Sequence, residues 1–99
     1  MKRKITKQIV LKKLETNKDK LKKLEVSKIG LFGSILKGKS NRKSDVDIVV
    51  EFKNPTFDNY AELIILLEKL LRRKIDLVIE SSLRPELAYV KKEAKYVRV

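Results

Sequence analysis

The sequence contains no cysteine and no histidine. The first absence excludes a disulfide framework, a thiolate metal site and a cysteine nucleophile, and the second removes the commonest general base and nitrogen ligand. Any chemistry has to run on carboxylates, hydroxyls, lysines and backbone amides. Long apolar runs are missing too, since the longest aliphatic stretch, Leu63 to Leu67, is far too short for a bilayer. Met1-Lys2-Arg3-Lys4 has the charge of a signal-peptide start, but Lys7, Lys12 and Lys13 interrupt the next stretch before an apolar segment can form. The expectation is a cytoplasmic protein without a membrane segment. No repeat, low-complexity block or glycine/serine linker divides the 99 residues, which predicts one domain over 1–99 with little room for a deep pocket of its own.

Basic residues are what the chain has in excess. Twenty-five lysines and arginines against thirteen acids give a net charge of +12, enough to concentrate polyanions at the surface. The excess is densest before Glu25, where Lys2, Arg3, Lys4, Lys7, Lys12, Lys13, Lys18, Lys20, Lys22 and Lys23 face only Glu15 and Asp19. Solvated lysine-rich helices account for such a run without a ligand. RNA binding is the weaker alternative, because no aromatic-rich RNA motif interrupts the lysines.

Periodicity alternates between helix and strand. Ile5, Ile9, Val10 and Leu14 recur at helical spacing, and Asn17 is placed to cap a second short helix that buries Leu21 and Leu24. Val26 to Phe32 reads as a strand ended by Gly33, Ser34 to Lys37 as one helical turn, and Gly38 to Lys43 as a polar loop, with Ser44 as a turn or capping residue. In Val46 to Phe52, residues Val46, Ile48, Val50 and Phe52 share one face while Asp45, Asp47, Val49 and Glu51 share the other. After the break at Asn54-Pro55, Thr56 caps a helix whose apolar stripe is Phe57, Tyr60, Ile64, Leu67 and Leu71. Ile75 to Ile79 is a third strand, Leu83 to Ala94 a last helix with Leu87, Val90 and Ala94 inward, and Tyr96 to Val99 a short strand or tail. Tyr89 and Tyr96 are expected to pack as aromatic neighbours.

The chemistry concentrates on the acids. Asp45 and Asp47, one residue apart in a strand, point the same way with Cα atoms about 6.5 Å apart, a spacing that suits shared metal ions. A third carboxylate, Asp76, sits in the aliphatic strand Ile75 to Ile79, where a lone charge is costly unless paired or bound to a cation. If the two strands are neighbours, the three acids converge. Hard oxygen ligands without nitrogen or sulfur favour Mg²⁺ or Mn²⁺, and two such ions would stabilise the attacking and leaving oxygens of an in-line displacement at phosphorus. Upstream, Gly33-Ser34 at a strand end can cradle a triphosphate: glycine admits close approach, serine adds a hydroxyl, and the helix start carries partial positive charge. Lys37, Lys39, Arg42 and Lys43 can offset the phosphate charge. Glycine and serine also serve tight turns and caps on their own, so these two residues carry weight mainly in combination with the acids.

Gly33-Ser34, ten residues, then Asp45-x-Asp47 resembles the signature of the DNA polymerase beta-like nucleotidyltransferases. Together with Leu31-Phe32, Gly38, Ser44 to Glu51, Lys74 to Val78 and the closing segment from Leu83 to Val97, the chain is similar to the stand-alone minimal nucleotidyltransferases over nearly its whole length. The resemblance implies an α/β fold with a small mixed sheet flanked by helices, Asp45, Asp47 and Asp76 as metal-binding catalytic acids, and Gly33, Ser34 and Lys37 at the phosphates of ATP. It implies a partner too, since members are often antitoxins of a small helical HEPN ribonuclease toxin, and some inactivate the toxin by attaching AMP to one of its tyrosines. The alternatives are a non-catalytic antitoxin that masks the toxin by contact, and transfer to a small molecule or RNA. Lys37 stands where the family commonly has an arginine, and Arg72 where a glycine often closes the long helix; lysine cannot make arginine's bidentate fork.

Overall fold

The computed structural model describes residues 5–39 and 45–99. The opening Met1 to Lys4 and, from the expected polar loop, residues 40–43, as well as Ser44, lie outside them. Helix α1 (Lys7–Thr16) starts at Thr6, whose hydroxyl oxygen accepts the Ile9 amide proton at 3.3 Å, and buries Val10 and Leu14. Asn17 does not cap α2 (Lys18–Lys23) with its side chain. Its amide donates back to the Lys13 carbonyl at 2.7 Å, so it closes α1 instead. The strands β1 (Val26–Phe32), β2 (Val46–Phe52), β3 (Ile75–Ile79) and β4 (Lys95–Arg98) form one sheet in the order β3-β2-β1-β4. β1 is antiparallel to both β2 and β4, whereas β2 and β3 are parallel. A parallel pair cannot be joined by a hairpin, and α4 (Phe57–Leu71) supplies the crossover.

Strand periodicity divides the sheet into two unlike faces. Ile29, Leu31, Val46, Ile48, Val50, Ile75, Leu77 and Val97 are buried on one, in a single core with Val10, Leu14, Leu21, Leu63, Leu67 and Leu71 of the helices. Register places the alternate residues on the opposite face: Lys28 and Gly30 of β1, Asp47, Val49 and Glu51 of β2, Asp76 and Val78 of β3, and Tyr96 of β4. That face is not bare, because Val49 and, in α5 (Tyr89–Glu93), Val90 are buried outside the main core.

Two further expectations need correction. Phe57 is not part of the buried stripe of α4 but is 82% exposed: it is the first residue of the helix, and side chains there tilt back past the helix end. Leu83 to Ala94 is not one helix. A 3-10 turn at Glu80–Ser82, a second at Pro85–Leu87 and the short α5 replace it, and Leu87 turns outward. Val90 is the one apolar side chain of α5 that is buried, too little to hold a longer helix against the cost of ordering it. Arg72 closes α4 in the left-handed conformation, φ 53° and ψ 39°, with its amide on the Glu68 carbonyl at 2.9 Å. An arginine therefore occupies a helix end whose geometry favours glycine.

Candidate active site

The parallel register of β2 and β3 sets Asp47 directly opposite Asp76, on strands that neighbour at about 4.8 Å. Burial raises the Asp47 carboxyl above the ordinary aspartate value, and the charge of Asp76, a hydrogen bond with its side chain and the charge of Asp45 push in the same direction; the Ser34 amide proton, donated to Asp47, opposes them. Two strands thus bring Asp47 and Asp76 together, and Asp45, exposed at the mouth of β2, acts on Asp47 through its charge. Among the described residues, no three carboxylates are close enough to form a ready-made metal cage.

Gly33 is fixed by this arrangement. It begins α3 (Gly33–Leu36) at φ +78°, and a Cβ there would lie 2.8 Å from Asp47 Cγ and closer still to Oδ2. The carboxylate thus packs on the glycine, and any side chain at 33 would displace it. The Ser34 amide is held by Asp47, which leaves the hydroxyl as the Ser34 group for a phosphate. Lys37 at the end of α3 is paired with Glu93 of α5, its ammonium 3.5 Å from Oε2, rather than extended toward the acids. Lys39 is exposed, and Arg42, Lys43 and Ser44 lie outside the described residues.

Sequence reasoning missed a second polar group on the same sheet face. Glu80 accepts a hydrogen bond from Tyr96 Oη at 2.9 Å and pairs with Lys28 Nζ at 3.0 Å, while Lys28 sits 4.6 Å above the Tyr96 ring. Gly30 makes room for that ring: a Cβ there would meet it at 3.0 Å. Glu51 accepts the Ser81 amide proton at 3.2 Å. Burial opposes ionisation of Glu80, but the hydrogen bonds from Lys28 and Tyr96 with the charges of Lys28 and Lys91 hold its carboxyl below the usual glutamate range. Tyr96 is raised, by burial first and then by its bond to Glu80 and the charges of Glu80 and Glu51. Glu51 was legible as the next-but-one residue on the acid face, but nothing local in the sequence pairs Lys28 with Glu80. Tyr89, expected to pack, is half exposed.

The sequence profile of the nucleotidyltransferase domain matches residues 11–98. The chain belongs to the nucleotidyltransferase family. A Methanocaldococcus jannaschii protein with the provisional name protein adenylyltransferase is 44% identical over 89 residues, covering 87% of this chain and 84% of the relative. The Thermococcus cleftensis protein adenylyltransferase MntA is 43% identical over 74 residues, 73% of this chain and 75% of that one. Among solved structures, one provisionally described as a minimal nucleotidyltransferase superposes with a TM-score of 0.78 at 28% identity, covering 92% of this chain and 95% of its own. A toxin–antitoxin complex with AMP-PNP gives 0.66 at 28% identity, with 93% and 72% covered. The Shewanella oneidensis complex of a tri-AMPylated HEPN toxin with its MNT antitoxin gives 0.53 at 27%, with 83% and 69% covered. The mixed sheet of this nucleotidyltransferase is therefore the family fold, and the β2–β3 register is what aligns its acids. Among the described residues, no helix is long and apolar enough to cross a membrane.

Proposed function

We propose that this nucleotidyltransferase transfers AMP from ATP to a hydroxyl, that of a tyrosine, on a HEPN-domain toxin, and so acts as its antitoxin in the cytoplasm. The observation that carries the reading is Asp47 wedged between Gly33-Ser34 and Asp76, a carboxylate pair beside a strand-to-helix turn. The relatives named as adenylyltransferases, and the similar complexes that hold AMP-PNP or an AMPylated HEPN toxin, support it. Two adjacent carboxylates that repel each other form the oxygen donor set that suits a hard divalent cation. Asp45, Asp47 and Asp76 would hold Mg²⁺, two ions in the full arrangement, with Mn²⁺ as a substitute. Bound there, the metal supplies charge to offset the triphosphate and the pentacoordinate phosphorus.

The chain's own residues do the rest. Gly33 keeps the approach to Asp47 free of side chains, and the Ser34 hydroxyl donates to a phosphate oxygen. Lys37 exchanges Glu93 for the triphosphate. The attacking hydroxyl loses its proton to a carboxylate, since no histidine exists in the chain, and we assign that role to Asp76 on the outer strand. The α-phosphorus–oxygen bond to the acceptor forms as the bond to pyrophosphate breaks.

Asp76→Asn tests the assignment, because it keeps the size of the side chain and removes the charge. The variant should fold and still bind the toxin, while the toxin's intact mass no longer rises by AMP increments with ATP and Mg²⁺. If wild type and variant neutralise the toxin equally, with no mass change in either case, the protein masks its partner and the transfer reading fails.

A further inference from the structure

Short as it is, α5 lies across the acid-bearing face of the sheet, with Val90 as its buried anchor. Leu87, just before it, lines one cavity with Leu77 and Val78 of β3, and Lys95, just after it, pairs with Leu31 of β1. The helix therefore runs from the β3 side of the face to the β4 side. Charge fixes which way its flanks look. The charge of Lys91 acts on Glu80, which is bonded to Lys28, and Lys28 stands opposite Glu51 at the end of the face remote from the aspartates. Lys91 is two residues from both Tyr89 and Glu93, hence about 200° around the helix from each, so these two share a flank that looks the other way, toward the row of Asp47 and Asp76. The ion pair of Glu93 with Lys37 agrees, because Lys37 closes α3, which begins at Gly33 against the Asp47 carboxylate.

Tyr89 is the tyrosine on that flank, and its hydroxyl has no structural task. Tyr60 Oη donates to the Leu77 carbonyl at 2.7 Å and Tyr96 Oη to Glu80 at 2.9 Å, whereas the Tyr89 hydroxyl has no hydrogen-bond partner among the described residues and the side chain is 50% exposed. Order along the flank matters more than exposure. Glu93 and Lys37 mark the β1 side, where the triphosphate is proposed to lie; Asp47 is in the middle on β2; Asp76 is on β3, the side on which α5 starts with Tyr89. The row from β1 to β3 covers two strand spacings, about 10 Å, and Tyr89 precedes Glu93 by about 6 Å of helix, so the flank is long enough to follow the site. In-line displacement needs the entering oxygen opposite the leaving one across phosphorus. With the pyrophosphate toward Lys37, the entering side is that of Asp76 and Tyr89.

We propose that Tyr89 is itself an acceptor, so that a chain holding ATP and Mg²⁺ without its partner attaches one AMP to its own Tyr89 hydroxyl. The bond from Tyr89 Oη to the α-phosphorus forms, the bond from that phosphorus to pyrophosphate breaks, and the phenolic proton passes to the Asp76 carboxylate. The proposal rests on the transfer reading for the reaction, and on the placement of α5 for the residue.

The test is the intact mass of the full chain alone after incubation with ATP and Mg²⁺, followed by peptide fragmentation to place the added group. Wild type should gain one AMP increment on Tyr89, and neither Tyr89→Phe nor Asp76→Asn should gain any. Calorimetry and thermal unfolding of Tyr89→Phe should match wild type in ATP affinity with Mg²⁺ and in Tm, so that the lost mass gain reports the hydroxyl alone. The fraction modified at a fixed time should not depend on protein concentration. AMP found on another residue, a mass gain that persists in Tyr89→Phe, or a rate that rises with protein concentration, as for one copy modifying another, overturns the proposal. Weakened ATP binding by Tyr89→Phe would make the residue part of the nucleotide site and overturns it as well. A second reaction with the HEPN-domain protein encoded beside this chain separates the two readings. If that partner gains AMP while the chain alone never does, the self-acceptor is rejected and transfer stands; if neither gains AMP, both are rejected.

Discussion

Gly33 shows how one residue is dictated from two directions. Its φ of +78° already disfavours any side chain, and the carboxylate of Asp47 occupies the space a Cβ needs. Gly33→Ala therefore has to move either α3 or Asp47. Backbone strain of this kind costs on the order of 1–3 kcal/mol, which in a chain of this size lowers Tm by several degrees. The larger effect is expected in function: ATP affinity with Mg²⁺ should fall by more than the stability loss accounts for, because the displaced group is the carboxylate proposed to hold the metal. Calorimetry beside thermal unfolding separates the two. Gly38, also at positive φ, has nothing within 4 Å of an added Cβ, so a substitution there meets backbone strain alone.

At the scale of elements, the turn Glu80–Ser82 is fastened to the acid-bearing face by two carboxylates, Glu80 to Lys28 and Tyr96, and Glu51 to the Ser81 amide. This joins β1, β4 and the end of β3. Because the Glu80 carboxyl is held below its ordinary value, its contribution is complete above the unfolded glutamate pKa of about 4.3 and disappears as pH falls through the lowered folded value. Glu80→Gln should consequently destabilise near neutral pH by about 1 kcal/mol, a figure kept small by the surface position of the pair. The difference from wild type should shrink as denaturation is measured at progressively lower pH, below about 4. A difference that stays constant with pH would mean the glutamate acts by shape rather than by charge.

For the whole molecule, the repulsion between Asp47 and Asp76 is a cost built into the fold, and ligands that relieve it stabilise the folded state by mass action. On the proposed function, Mg²⁺ and ATP together should raise Tm clearly more than the sum of either alone, since each would complete the site of the other. A chelator should abolish the ATP effect. Asp45→Asn/Asp47→Asn should show neither response, and a thermal shift with ATP that ignores both chelator and substitution would remove these acids from the nucleotide site. The lysine-rich α1 and α2 form one ion pair among the described residues, Lys18 with Glu15 at 3.3 Å, so most of the positive charge stays free to set the field around the molecule.

Local sequence was enough to determine the two-faced strand β2, since alternation of Val46, Ile48, Val50 and Phe52 with Asp45, Asp47 and Glu51 leaves one way to bury the aliphatics. It also announced the family through Gly33-Ser34 and the spaced aspartates, and the extents of β1, β3 and α4 come from equally strong periodicity. Folding in three dimensions settled what periodicity does not encode. Strand order and the parallel register made Asp76 the neighbour of Asp47, and only then did the Ser34 amide become a partner of a carboxylate instead of a free donor. Lys28 and Glu80 meet because the turn Glu80–Ser82 that follows β3 folds back over β2 toward β1, a contact between residues far apart in the chain with no local signature. Phe57 and Leu87 look apolar enough for the core, but a helix end and a 3-10 turn hold them beyond its reach, for burial depends on what stands opposite a residue as much as on its hydrophobicity.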